Sequence, residues 1–146
     1  MLVVRPASDA EVRSVQLRVL RPDGPLPGDT EPTGHWSHVA ATVDERVIGA
    51  CTVGPSAWRH PDLVELVDPQ WQLRSMAVLP EFRGGVGTQL LTAAVGMARA
   101  AGAASLWANA RREALGLYTR GGWTIVGSQW HKPGIGPHRY VVLQRP

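Results

Sequence analysis

The order of apolar and polar positions changes its period several times along the chain. Val3 to Arg5 is a short apolar run that reads as a first strand. Ser8 or Asp9 then offers a helix cap, with Glu11 in the first turn, where a carboxylate suits the positive end of the helix dipole. Val12, Val15, Val19 and Leu20 follow at helical spacing. Arg21 to Gly34 carries Pro22, Pro25, Pro27 and Pro32 together with Gly24, Gly28 and Gly34, which makes it a loop. Its length of about 14 residues suits one wall of a substrate site.

Val39 to Val43 and Arg46 to Val53 read as an antiparallel hairpin turning at Asp44-Glu45. Gly54 to Gln70 is irregular, broken by Pro55, Pro61 and Pro69. Trp71 to Leu79 is the next strand, and Pro80 stops it because proline cannot donate to a ladder. A helix is expected from about Thr88 to Ala101, with Leu91, Ala94, Val95 and Ala98 on one face and Gly102 ending it. Ser105 to Asn109 reads as a strand and Arg111 to Arg120 as a further helix ended by Gly121-Gly122. Trp123 to Ser128 and Arg139 to Leu143 read as the last strands, set apart by a Gly/Pro-rich loop. Strands and helices alternate in the middle, with a hairpin before and strands after. That order predicts an α/β (α+β) chain, a mixed sheet with helices packed on it.

Length adds that 146 residues fit one domain, 1–146, with a sizeable core. No apolar run approaches the roughly 20 residues of a bilayer span, and Met1 to Pro6 lacks the features of a signal peptide. A cytoplasmic protein without a membrane partner is expected. Cys51, the single cysteine, excludes an internal disulfide and agrees with a reducing compartment. Its apolar run, Val47 to Val53, marks it as a small core residue rather than a nucleophile. The formal charge of +3 rests almost wholly on arginine, Lys132 being the one lysine, and suits an anionic ligand. The arginines are spread along the chain and no nucleic-acid motif accompanies them, so a nucleic-acid partner is not expected.

The sharpest chemical signal is Arg83-Gly84-Gly85-Val86-Gly87-Thr88, three glycines within four positions between a strand and a helix. Glycine lets backbone N–H groups approach phosphate oxygens with no Cβ in the way. Unpaired N–H groups of the first helical turn, with the positive dipole end, form an anion site, and Arg83 adds a charge-assisted contact. A tight helix entry with no ligand would use similar residues. The sequence has no G-x-x-x-x-G-K-[ST], and Gly85-Val86-Gly87 lacks the third glycine of G-x-G-x-x-G. A phosphate-bearing cofactor is therefore expected, but neither of these two nucleotide loops.

Two blocks resemble the GNAT acyltransferases, which use acyl-coenzyme A. The first is Leu73-Arg74-Ser75-Met76-Ala77-Val78-Leu79-Pro80-Glu81-Phe82-Arg83-Gly84-Gly85-Val86-Gly87-Thr88-Gln89-Leu90-Leu91. It is similar to the family's strand, Pro-Glu-aromatic-Arg-Gly and Gly-x-Gly-x-x-Leu-Leu. The second is Asn109-Ala110-Arg111 followed by Tyr118-Thr119-Arg120-Gly121-Gly122-Trp123. The resemblance covers roughly residues 71 to 128. It departs from the family at one point: three residues after Arg83 stands Val86 rather than glycine, so the turn is one residue short.

The resemblance implies a GNAT-like fold, with a central, mostly antiparallel sheet and a splayed parallel pair. It implies acetyl-CoA as cofactor and an amine as acceptor, with no metal. Backbone groups at Met76 and Val78 would bind the pantetheine arm as an added strand does. A bulge near Met76-Ala77 would make room for it, and a backbone N–H near Val78 would stabilise the oxyanion. Arg83, Gly84, Gly85, Val86, Gly87 and Thr88 would hold the pyrophosphate, and Asn109 the pantetheine amide. Tyr118 matches the family's general acid, with Tyr140 as the fallback. Dimerisation is a family-level expectation. The alternative is a non-catalytic acyl-CoA-binding domain of the same fold.

The general base is not singled out by sequence. Glu31, Glu65, His35, His38 and His138 all lie in segments that could border an acceptor site, and a histidine near neutrality suits the task. Trp107 and Trp123 fall at strand positions and read as core. Trp36, Trp58, Trp71 and Trp130, in or beside loops, are candidates for an apolar acceptor wall or for core.

Overall fold

Helix α1 (Asp9–Leu20) begins where the sequence puts its cap. Ser8 is extended, its Oγ accepts the Glu11 N–H at 3.3 Å, and the Glu11 carboxylate accepts the Ser8 N–H at 3.0 Å. Two donors of the first turn are thereby satisfied by the chain's own side chains. Arg5, in strand β1 (Leu2–Ala7), donates to the same carboxylate at 2.7 Å. This Arg5 bond, reinforced by the Ser8 N–H, holds the Glu11 pKa down at about 2.

The computed structural model describes residues 1–24, 26 and 35–145. The remaining strands are β2 (Ser37–Val43), β3 (Arg46–Pro55), β4 (Gln70–Val78), β5 (Ser105–Arg111), β6 (Thr124–Lys132) and β7 (Gly136–Gln144), and the remaining helices α2 (Val86–Ala100) and α3 (Leu115–Arg120). The strands run in the order β1-β2-β3-β4-β5-β7-β6. The pairs β1–β2, β2–β3, β5–β7 and β6–β7 are antiparallel, and β4–β5 is parallel. The parallel ladder has three register pairs, Gln70↔Ser105 to Gln72↔Trp107. The sheet is mixed, as the alternation of elements predicts, and mostly antiparallel, as the resemblance implies.

The chain divides into two compact units, Met1–Gly54 with Leu73–Ala94, and Pro55–Gln72 with the chain from Val95 onward. In the first, β2 and β3 turn at Asp44 and Glu45, both at positive φ (48° and 67°), as a two-residue hairpin turn of matching twist requires. The register His38↔Thr52 and Val39↔Cys51 sorts side chains onto two faces. Thr52 meets Gln16 of α1, and Cys51 meets the Leu90 carbonyl of α2. Helices thus cover both faces, which is why Val39, Ala40, Ala41, Ala50, Cys51 and Thr52 are buried in succession.

In the second unit, the irregular segment after β3 covers one face of the β5–β7–β6 ladder. Trp58 packs with Leu66, Trp107 and Val142 as a core cluster. Its indole donates to the Val64 carbonyl at 2.8 Å, and the Trp107 indole donates to the Ser56 carbonyl at 2.9 Å. Trp58 is therefore core, and Trp107 and Trp123 are buried as expected.

Several boundaries differ from the sequence reading. Helix α2 starts at Val86, two residues early, because Gly84 and Gly85 alone complete the reversal. Strand β5 runs on to Arg111, since Ala110 and Arg111 still pair with Arg139 and His138. Only Leu115–Arg120 of the expected 111–120 helix is α-helical, after a 3-10 turn at Arg112–Ala114. The Gly/Pro-rich segment before Arg139 belongs mostly to the β6–β7 hairpin, with Trp130↔His138 and Lys132↔Gly136 in register. Pro137 is tolerated in an interior strand because the pairing with β5 begins one residue later, at His138. Trp71 and Trp130 therefore sit in strands, while Trp123 precedes β6. Most of the proline-rich loop, residues 25 and 27–34 with Glu31, lies outside the described residues. Among the described residues, no helix is long and apolar enough to cross a membrane.

Removing the cap, Ser8→Ala, should cost about 1 kcal/mol in denaturant unfolding at neutral pH. The lowered Glu11 pKa contributes stability that is complete above its ordinary value of about 4.5 and disappears as pH falls through about 2. The stability gap between wild type and Glu11→Ala should narrow over that interval in acid titrations followed by circular dichroism.

Candidate active site

In the first unit the site elements follow one another along the chain. Ser75, inside β4, has φ +56. For a residue with a Cβ this left-handed conformation costs about 1–2 kcal/mol. It interrupts strand alternation, leaving Leu73 and Ala77 buried with Ser75 exposed between them. The irregularity expected near Met76-Ala77 thus sits at Ser75.

A chain of polar contacts reaches this point. The Gln16 amide donates to the Ser75 carbonyl at 3.1 Å and to Thr52 Oγ1 at 3.0 Å. Thr52 Oγ1 lies 2.8 Å from His38 Nδ1, and His38 Nε2 lies 3.9 Å from the Asp9 carboxylate. His38, a candidate base, is therefore tied into this chain. Nothing in the sequence links Gln16 with Thr52 and Ser75, because contacts spanning 36 and 59 residues leave no local pattern.

Past Val78 the backbone is pinned again. The Leu79 N–H donates to the Ile48 carbonyl at 2.8 Å, and Pro80–Phe82 forms a 3-10 turn. Arg46 stands 3.8 Å from Glu81, with its guanidinium 5.7 Å from the centre of the Phe82 ring. Arg83 is exposed. Gly84 and Gly85 follow at φ +121 and +91, values that side-chain-bearing residues rarely adopt. A Cβ at either would meet nothing within 4 Å, so the space beside this turn is open.

The first helical bond of α2 runs from the Gln89 N–H to the Gly85 carbonyl at 3.2 Å. The N–H groups of Val86, Gly87 and Thr88 precede it and have no intrahelical acceptor. Gly85 offers no capping side chain, and the first turn of α2 has no acidic residue. α1 carries both a capping box and two first-turn acids, Asp9 and Glu11. An open cradle of amides at the positive end of a helix, with Arg83 beside it in sequence, fits a pyrophosphate. Two successive positive-φ glycines make the turn into α2 in this shortened form.

In the second unit Asn109 is exposed on β5, opposite Tyr140 of β7. Tyr140 is surrounded by rings: His60 at 4.6 Å, Trp58 at 5.3 Å and Trp130 at 5.3 Å between centroids. Burial raises the Tyr140 pKa, which makes it a weaker acid. His138 stacks on Trp130 at 4.9 Å, and its Nδ1 lies 2.9 Å from the Gly136 carbonyl, an acceptor, so Nδ1 carries the proton. Burial lowers the His138 pKa, outweighing that bond. Tyr118, in α3, is buried at 3% exposure, its ring edge-on to Trp123 at 5.1 Å. Glu65 and His35 are exposed.

Cys51 has no role in this chemistry. It is fully buried, and burial alone pushes its thiol up to about 12. A neutral thiol reagent should label it only as fast as the protein unfolds; rapid labelling of folded protein would contradict this.

Comparison with known proteins identifies the family. The family described as acetyltransferase (GNAT) domain matches residues 34–125. N-acetyltransferase YitI of Bacillus subtilis (strain 168), itself uncharacterised, is 28% identical over 142 residues, 94% of this chain and 93% of the relative. A candidate N-acetyltransferase from Lactobacillus plantarum superposes with a TM-score of 0.76 at 19% identity, over 100% of this chain and 98% of that one. The phosphinothricin acetyltransferase of Sinorhizobium meliloti, solved with acetyl-CoA, gives 0.70 at 19% identity over 99% and 88%. The two structures share the fold, and the family match spans well over half the sequence. The chain belongs to the GNAT acetyltransferase family, the acetyl-CoA-dependent N-acetyltransferases.

Proposed function

We propose that the chain moves the acetyl group of acetyl-CoA to the primary amine of a small molecule, by direct attack within a ternary complex. The observation that carries this reading is the start of α2, where three successive amides without intrahelical acceptors follow two positive-φ glycines and the first turn holds no acidic residue. When bound, acetyl-CoA supplies a thioester carbonyl activated toward attack.

The residues of the chain then divide the work. The Gly84 to Thr88 backbone, with Arg83, holds the pyrophosphate. The peptide groups of Met76, Ala77 and Val78 line up the pantetheine arm, the Val78 N–H serving the oxyanion. Asn109 serves the pantetheine amide. Tyr118 donates the proton that the leaving thiolate must gain, and its buried setting keeps bulk water from competing for that step. The full span 1–146 acts as one catalytic domain. Each compact unit draws on two separate chain segments, so neither is a contiguous stretch that could be cut away. A cytoplasmic setting accords with the single, buried, unpaired cysteine. A homodimer is the family expectation, tested by sedimentation.

Acetyl-CoA should raise the melting temperature, and thiol release should appear with a member of a panel of primary amines. Stabilisation without turnover on any amine would instead leave a binding domain. Tyr118→Phe should keep acetyl-CoA affinity within about twofold while kcat falls by about 100-fold, the usual range for a lost general acid. Unchanged kcat would remove Tyr118 from the role.

A further inference from the structure

We infer that Gln16 is a positioning residue for acetyl-CoA binding. Its two amide hydrogens, one on the Ser75 carbonyl and one on Thr52 Oγ1, hold β4 in the left-handed kink that sets the Met76 and Val78 peptide groups. The inference rests on the reading that those peptide groups bind the pantetheine arm.

A residue with a Cβ stays left-handed inside a strand only when its surroundings over-determine it. Ser75 is exposed, so packing around its own side chain does little to fix it. Gln16 reaches its carbonyl from another element, and a carbonyl only accepts, so the Gln16 NH2 is the group that faces it. The second hydrogen of that NH2 is committed to Thr52 Oγ1. Thr52 Oγ1 in turn lies within hydrogen-bond distance of His38 Nδ1, whose Nε2 faces Asp9.

Each link is oriented by the next, and the whole is referred to α1, whose Val12 and Val15 are buried. Val12 and Gln16 are four residues apart and share a helix face. The links do not form a proton relay, because an amide NH2 donating at both hydrogens has no proton to pass on and none to accept. Their effect is to fix one peptide plane directly before Met76.

The test is a cycle of acetyl-CoA dissociation constants, measured by calorimetry alongside thermal unfolding. The proteins are wild type, Gln16→Leu, Gln16→Glu, Ser75→Gly and the double variant Gln16→Leu/Ser75→Gly. Gln16→Glu keeps the length of the side chain, but an ionised carboxylate has no donor for a carbonyl. Both Gln16 variants should bind acetyl-CoA about tenfold more weakly, the scale of one hydrogen bond lost. Ser75→Gly alone should change affinity by no more than about threefold, since glycine takes the left-handed conformation unaided. In that background Gln16→Leu should cost no more than about threefold, a non-additivity that lost packing alone would not produce.

Two results overturn the assignment: Gln16→Glu binding as tightly as wild type, or Gln16→Leu costing the same factor in both backgrounds. If wild type itself fails to bind acetyl-CoA, the cofactor reading falls, and this inference with it.

Discussion

A helix cannot pair the amides of its own first turn, and this chain meets that constraint in two opposite ways. At α1 it spends side chains: Ser8 and Glu11 satisfy each other's backbone, and Arg5 locks the carboxylate. At α2 glycine precedes the helix and no acid stands within the first turn. Donors left without intrahelical partners at a dipole's positive end call for an anion. The difference between the two helix starts is what the proposed site rests on.

For α2 to present those amides, the chain entering it must be held still. Leu79 bonds back to Ile48, and the Pro80–Phe82 turn brings Glu81 and Phe82 against Arg46. Val86, buried at the first helical position, fixes the start from inside. Upstream, the kink at Ser75 is tied through Gln16 to α1 and through Thr52 to β3. One stretch of backbone, Ser75 to Thr88, is therefore anchored at Ser75, Leu79 and Val86, with open space beside Gly84 and Gly85. A phosphate ester with a thioester arm is a ligand of that extended kind.

The parts legible in the sequence were those written in local chemistry. Ser8 with Glu11 announces a helix cap, Asp44-Glu45 between apolar runs announces a hairpin, and the glycines after Pro80 announce an anion site. The proposed site residues come from two spaced blocks, Leu73 to Leu91 and Asn109 to Trp123. Sequence missed what depends on distant partners. Nothing near Ser75 marks it as left-handed; nothing near Gln16 says that it reaches β4. The Gly/Pro-rich run before Arg139 suggested a loop, yet register with β7 made most of it strand, because a proline one residue short of the β5 ladder costs no hydrogen bond. Trp58 could be core or pocket wall until the fold put it against Leu66, Trp107 and Val142.

The central claim, that the amides opening α2 bind the pyrophosphate, is tested most directly by backbone amide NMR shifts with two ligands. Acetyl-CoA carries both the pyrophosphate and the pantetheine arm; S-acetyl-pantetheine carries only the arm. Acetyl-CoA should displace the amide resonances of Gly84 to Thr88 and of Met76 to Val78. S-acetyl-pantetheine, at concentrations high enough to bind, should displace only Met76 to Val78. Amides of Gly84 to Thr88 that stay in place when acetyl-CoA saturates the protein would contradict the account.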